Sequence, residues 1–298
     1  MKKLRCLLSN IFIIWLTSWS TYAQQADLSS WAATVQNDFR VIPNITYHQA
    51  NGMELKIDVY QPRNQTAPAP TFIYYHGGGW VAGSKEVNIL RLIPYLEKGW
   101  AAVNVQYRLG NVSLAPAAVE DSLCALRWIA RNADQYGFDT DRLVVSGNSA
   151  GGHLALTTGM IPSKAELDRQ CLGNETPKVA AIVNWYGITD VNDLLDGENQ
   201  RSYAVRWLGS QPNRNEIADR VSPINYVQED LPPIISIHGD ADPVVPYNHA
   251  VRLHQKLTQA EVTNELVTVP NGLHGGFPAQ EQIRIYNSIF SFLDSNVN

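Results

Sequence analysis

Short apolar runs recur along the chain, each closed by small or turn-forming residues, and they alternate with segments whose apolar residues fall three and four apart. Residues 71–75, 101–107, 179–185, 234–237 and 265–269 have the composition and length of strands, and the run 143–145 leads into another. Between them, Ile89, Leu92, Ile93 and Leu96 predict a helix over 85–98 that Gly99 ends. Val119, Leu123, Leu126 and Ile129 predict a long helix over 116–136, and residues 248–257 and 283–293 read as two more. Alternating residues on either side of Asn51-Gly52 predict a hairpin of 45–48 with 55–60, and a proline-rich connection follows over 61–70. Two stretches break the rhythm. Residues 24–44 read as a polar N-terminal arm, and 188–230 as a polar excursion with one helical patch at 203–208. Strands alternating with helices imply a mostly parallel sheet covered on both faces, an α/β architecture with nothing that divides it.

Length and charge narrow this picture without changing it. A chain of 298 residues, 45% hydrophobic and 17% charged, can bury one large core. Its net charge of -5 and the lack of a basic stripe give no basis for nucleic-acid binding.

The first residues stand apart from the fold. Met1-Lys2-Lys3-Leu4-Arg5 is basic, residues 7–16 are mostly apolar, and Thr21-Tyr22-Ala23 offers a cleavage site. This is the layout of a signal peptide over 1–23, with the catalytic domain over 24–298. The apolar run is shorter than a membrane span, so export is expected, to the periplasm or beyond, without stable membrane insertion. Outside that segment stand two cysteines, Cys124 and Cys171. An exported chain can keep a disulfide, and a bridge is favoured over a buried free Cys124; the Cα separation decides.

Four chemically loaded turns lie just past strand ends, where parallel sheets bind ligands. The first is His76-Gly77-Gly78-Gly79-Trp80, whose bare backbone suits anion stabilisation by amide N–H groups. The second is Gly147-Asn148-Ser149-Ala150-Gly151-Gly152, a strand-to-helix turn carrying one hydroxyl. The third, His238-Gly239-Asp240-Ala241-Asp242-Pro243, offers two carboxylates, of which Asp242 lies farther past the strand. The fourth places His274 among glycines. A serine needs a base to take its proton, and the base needs an acid to fix its tautomer. Ser149, His274 and Asp242 meet that need, and the Gly77, Gly78 and Ala150 amides would face the oxyanion. The rival bases read as structural: His76 and His238 close strands, His153 stands behind the serine, and His249 and His254 lie on a helix face. Asp190 reads as a turn cap.

Together with Tyr107-Arg108-Leu109, these motifs resemble the α/β-hydrolase fold over about residues 45–295, and within it the HGGG-bearing carboxylesterases related to hormone-sensitive lipase and to bacterial acetyl and feruloyl esterases. The resemblance implies Ser149 as nucleophile, His274 as base and Asp242 as its orienter, with no metal and no cofactor. Two departures stand out. Asn148 replaces the Asp or Glu of many members, and the short arm leaves little material for a helical cap, which implies an open site suited to esters carried on something large.

The expected activity is hydrolysis of short-chain acyl (acetyl) or hydroxycinnamoyl esters, small or polysaccharide-linked, through an acyl-enzyme. The alternative on the same residues is an amide hydrolase of formamidase or peptidase-like type, since the HGG-x-W pattern is also similar to kynurenine formamidase. A binding-only role fits poorly with three intact reactive residues. Trp80 and Tyr186 are the expected substrate wall. The sequence carries no reading of oligomeric state.

Overall fold

Eight strands form one sheet in the order β1-β2-β4-β3-β5-β6-β7-β8. The structure, a computed structural model, describes residues 36–297 together with Ala33; the expected signal peptide lies outside the described residues. The strands are β1 (Phe39–Ala50), β2 (Met53–Pro62), β3 (Ala69–Tyr75), β4 (Ala101–Val105), β5 (Phe138–Asn148), β6 (Ala181–Trp185), β7 (Ile234–Gly239) and β8 (Asn264–Val269). Only β2 runs against its neighbours; β4, β3, β5, β6, β7 and β8 pair in parallel. Asn51 and Gly52 make the hairpin turn with φ of 51° and 73°. This is the left-handed pair that a tight hairpin needs.

The helices are α1 (Ile93–Glu97), α2 (Ala117–Arg131), α3 (Ala133–Tyr136), α4 (Ala150–Met160), α5 (Ser202–Leu208), α6 (Arg214–Arg220), α7 (Asn248–Gln259) and α8 (Ala279–Asn296). Strand alternation sends side chains to two cores. Ile73, Tyr75, Val145 and Ile182 face α2, α4 and α7, whereas Phe72, Tyr74, Val144 and Val183 face α1 and α8. Helix α4 is buried almost all round, because sheet and helices both cover it. Among the described residues no helix is long and apolar enough to cross a membrane.

Three expectations change. The polar arm ends sooner than expected, because Phe39–Ile42 already pairs with β2. The helix expected over 85–98 is a 3₁₀ run, Lys85–Leu92, followed by one short α-helical stretch. Asn88 leaves helical geometry there (φ -119°, ψ 24°), and Pro94 supplies no N–H. Lys85, which starts the run, is tied to the buried Asp58 at 2.7 Å. The excursion over 188–230 is not a polar loop. It folds into α5 and α6, and its Val191, Leu194, Ala204, Trp207, Leu208 and Val221 join the same core as the sheet.

Cys124 and Cys171 are bridged, with Cα atoms 4.8 Å apart. The bond ties α2 to the segment before β6 and closes 47 residues of separation. A loop of that size is worth about 4 kcal/mol in the chain-entropy limit. Reduction under native conditions should therefore lower the thermal midpoint by roughly 10 °C for a domain of this size. An unchanged midpoint by circular dichroism, with free thiols verified, would contradict this.

Candidate active site

Backbone hydrogen bonds stitch the loops at the carboxyl edge of the sheet one to the next. Ser149 N–H donates to Trp185 O (2.9 Å), Tyr186 N–H to Ile237 O (2.7 Å), Asp240 N–H to Val269 O (3.2 Å) and Ala241 N–H to Gly272 O (3.1 Å). The turns carrying Ser149, Asp242 and His274 are thus fixed to neighbouring strands before any side chain acts.

Ser149 alone separates β5 from α4. Its backbone (φ 57°, ψ -121°) lies where L-residues rarely go, at a cost of about 1–3 kcal/mol. The turn is tight because α4 starts directly against β3. A Cβ on Gly151 would stand 2.0 Å from Tyr75 O and 2.7 Å from His76 O. The N-terminal end of α4, with its partial positive charge, is therefore held at the serine.

Asp242 and His274 meet as expected: Nδ1 of His274 lies 2.7 Å from Oδ2 of Asp242. The other oxygen, Oδ1, accepts the Val244 and Val245 amides at 2.7 and 3.0 Å. Burial alone would raise the Asp242 carboxyl, but hydrogen bonds from His238 and His274 hold it well below the usual carboxylate range. The rival Asp240 instead accepts the Asn271 amide at 2.6 Å. Asp190 caps a turn at Asp193 N and pairs with Arg252. Among the described residues, neither the Ser149 hydroxyl nor His274 Nε2 has a hydrogen-bond partner, so both atoms remain open. The Tyr186 ring, next to the Trp185 carbonyl that holds Ser149, lies 4.6 Å from the His274 ring.

The triple-glycine loop is shaped from beneath. Gly78 has φ of 122°, and a Cβ there would stand 2.0 Å from Ala82 O. Val81 and Ala82 donate back to Gly78 O, which turns the loop sharply. Among the described residues the Gly77 and Gly78 amides have no acceptor. The Ala150 amide opens α4, where helix N–H groups lack intrahelical partners.

The two expected substrate-wall residues sit differently from that expectation. Trp80 is fully buried, stacked on Trp207 at 4.0 Å, and its Nε1–H donates to His153 Nδ1 at 3.2 Å. It is a core residue because the excursion supplies the partner ring. His153 in turn reaches Val221 O at 2.6 Å, so it joins the glycine loop, the serine helix and the excursion. Tyr186, only 3% exposed, backs His274 and receives Arg91 Nη2 on its hydroxyl at 3.1 Å. Arg91 also lies over the Trp185 ring at 4.9 Å. Asn148 accepts from Tyr74 and Asn88, and its amide lies against Gly77. Two further neighbours of the site make contacts that the sequence did not show. Tyr203 covers Gly79 and donates to Val244 O at 3.2 Å, and His238 approaches Asp242.

Of the other rival bases, His76 bonds Gly77 O, His249 meets Asp193 and His254 meets Asn264. Burial pushes His249 down to about 4 and His153 to about 3. The unfolded chain takes up these protons near pH 6.5, whereas the folded protein does not. Stability should then be full above pH 6.5 and fall by roughly 1.4 kcal/mol per pH unit for each histidine between pH 6 and 4. Urea midpoints at pH 7 and pH 5 measure this, and equal midpoints would refute it.

With this geometry in place, the comparisons are specific. The BD-FAE family model matches residues 57–257. Esterase LipQ of Mycobacterium tuberculosis is 30% identical over 234 residues, covering 75% of this chain and 54% of its own. Esterase LipC of the same organism is 29% identical over 210 residues, covering 67% and 51%. The chain thus spans about half the length of these curated relatives. A solved structure described as a truncated form of a carbohydrate esterase from gut microbiota superposes with a TM-score of 0.71 at 27% identity, covering 86% of this chain and 97% of that one.

Proposed function

Because the chain belongs to the BD-FAE family, we propose that it is a serine carboxylic-ester hydrolase. The observation that carries this reading is the Asp242–His274 hydrogen bond at the same sheet edge as the strained Ser149 turn. Ser149 Oγ attacks the acyl carbonyl while its proton passes to His274 Nε2. The oxyanion takes the Gly77, Gly78 and Ala150 amides, which have no other acceptor among the described residues; one such donor is worth about 3 kcal/mol. As the tetrahedral centre collapses, the alcohol leaves with the proton from His274. Water, deprotonated by the same nitrogen, then attacks the acyl-serine, and collapse of that centre releases the acid as the proton passes from His274 to Ser149 Oγ. Asp242 stays ionised throughout and stabilises the imidazolium.

The substrates we infer are short acyl or hydroxycinnamoyl esters attached to polysaccharide. The likeness to a carbohydrate esterase supports this. The Cys124–Cys171 bridge and the basic-then-apolar N-terminal segment support action outside the cytoplasm. The decisive assay is a panel of acyl p-nitrophenyl esters, acetylated and feruloylated oligosaccharides, formylkynurenine and aminoacyl anilides, with fluorophosphonate labelling mapped by mass spectrometry. Ester turnover with label on Ser149 is expected; amide turnover above ester turnover would replace this reading with the amide-hydrolase one.

A further inference from the structure

A second histidine reaches the carboxylate oxygen that holds His274. His238, near the end of β7, is fully buried. Its Nε2 lies 3.3 Å from Asp242 Oδ2 and 3.1 Å from Val245 O. Both partners are acceptors, so Nε2 carries the hydrogen. Nδ1 is buried and has no partner among the described residues, and a hydrogen placed there would be stranded. The ring is therefore assigned as the Nε2–H tautomer. Tyr247 and Tyr186 meet it edge to face at 5.7 and 6.5 Å and fix its plane.

Folding alone does not favour this arrangement. A leucine would fill the space without stranding a nitrogen, and buried polar groups left half-satisfied are uncommon. What the ring supplies is a shared N–H: the one hydrogen on Nε2 bonds Val245 O at 3.1 Å and also faces Asp242 Oδ2 at 3.3 Å. Val244 and Val245 occupy Oδ1, and His274 and His238 occupy Oδ2. Together they fill the lone-pair positions of the carboxylate and leave it no rotation. We propose that His238 is a positioning residue that locks Asp242 Oδ2 where it meets His274 Nδ1. The inference rests on the roles given above to Asp242 and His274.

Long-range ¹H–¹⁵N spectra of the intact wild-type protein test the tautomer directly. His238 should carry its hydrogen on Nε2, and a hydrogen on Nδ1 would overturn the assignment whether or not any variant folds. Kinetics on p-nitrophenyl acetate test the consequence. His238→Leu should lower kcat about 10- to 100-fold with KM little changed, and His238→Gln, which keeps a donor, should recover most of the loss. In an Asp242→Asn background His238→Leu should change kcat by less than about 2-fold, because the group it acts through is already altered. Wild-type kcat in His238→Leu, or its full effect persisting beside Asp242→Asn, would sink the proposal. Ser149→Ala separates the two levels: if that variant remains active the hydrolase reading fails, whereas a dead Ser149→Ala with an unaffected His238→Leu removes only this inference.

Discussion

Replacing Ser149 by alanine should reduce kcat/KM on p-nitrophenyl acetate by at least about 10⁴-fold, because no other group can take up the acyl chain. The residual rate would come from the amides and from binding. The fold should not notice. Among the described residues the hydroxyl has no hydrogen-bond partner, and alanine inherits the same backbone strain. A thermal midpoint within about 2 °C of wild type is expected, since exposed or unbonded groups carry little stability. Fluorophosphonate should no longer label the protein. If more than about 1% of the wild-type rate remained in a variant of unchanged midpoint, another nucleophile would be at work.

Gly151→Ala should do the opposite and damage the fold first. The added Cβ would sit 2.0 Å from the Tyr75 carbonyl oxygen and 2.7 Å from that of His76. The Tyr75 oxygen cannot retreat, because β3 is paired on both sides, with β4 and β5, and the His76 oxygen is held by the Tyr107 hydroxyl at 2.8 Å. Relief requires moving α4 off the sheet, which separates Ser149 from the glycine loop. The expected cost exceeds about 4 kcal/mol, enough to lose soluble protein. Gly197→Ala is the control. Its φ of 74° also disfavours a side chain, yet nothing lies within 4 Å, so only about 1 kcal/mol of strain is expected. Equal midpoints for the two variants in urea would refute the steric account.

The parts of the site legible in the sequence were those whose chemistry lies in one short turn. Ser149, Asp242 and His274 each follow a strand among small residues, and parallel strands bring such turns to one edge. What failed depended on partners far along the chain. Trp80 read as a wall residue because it ends a glycine run, and only the stack with Trp207 makes it core. Helix α6 is seven residues long, too short for its Ile217 and Ala218 contacts to show a period. The helix expected over 85–98 had the right spacing, but Pro94 and the Lys85–Asp58 pair imposed another path. His238 read as structural because it closes a strand, and it does bond the Val245 carbonyl; its contact with Asp242 became visible only when the turn brought Asp242 back over β7.

The excursion between β6 and β7 shares its interior with the sheet. Trp207 lies on Trp80, and Val221 holds His153, which belongs to the helix that starts at the serine. A roof built this way is not an interchangeable module. Cutting it out, or grafting in the corresponding segment of a relative, would open the floor beneath the glycine loop unless Trp80 and His153 were exchanged with it. Remodelling of what this protein accepts should therefore begin at single residues within the roof, with Tyr203 over Gly79 the first to vary.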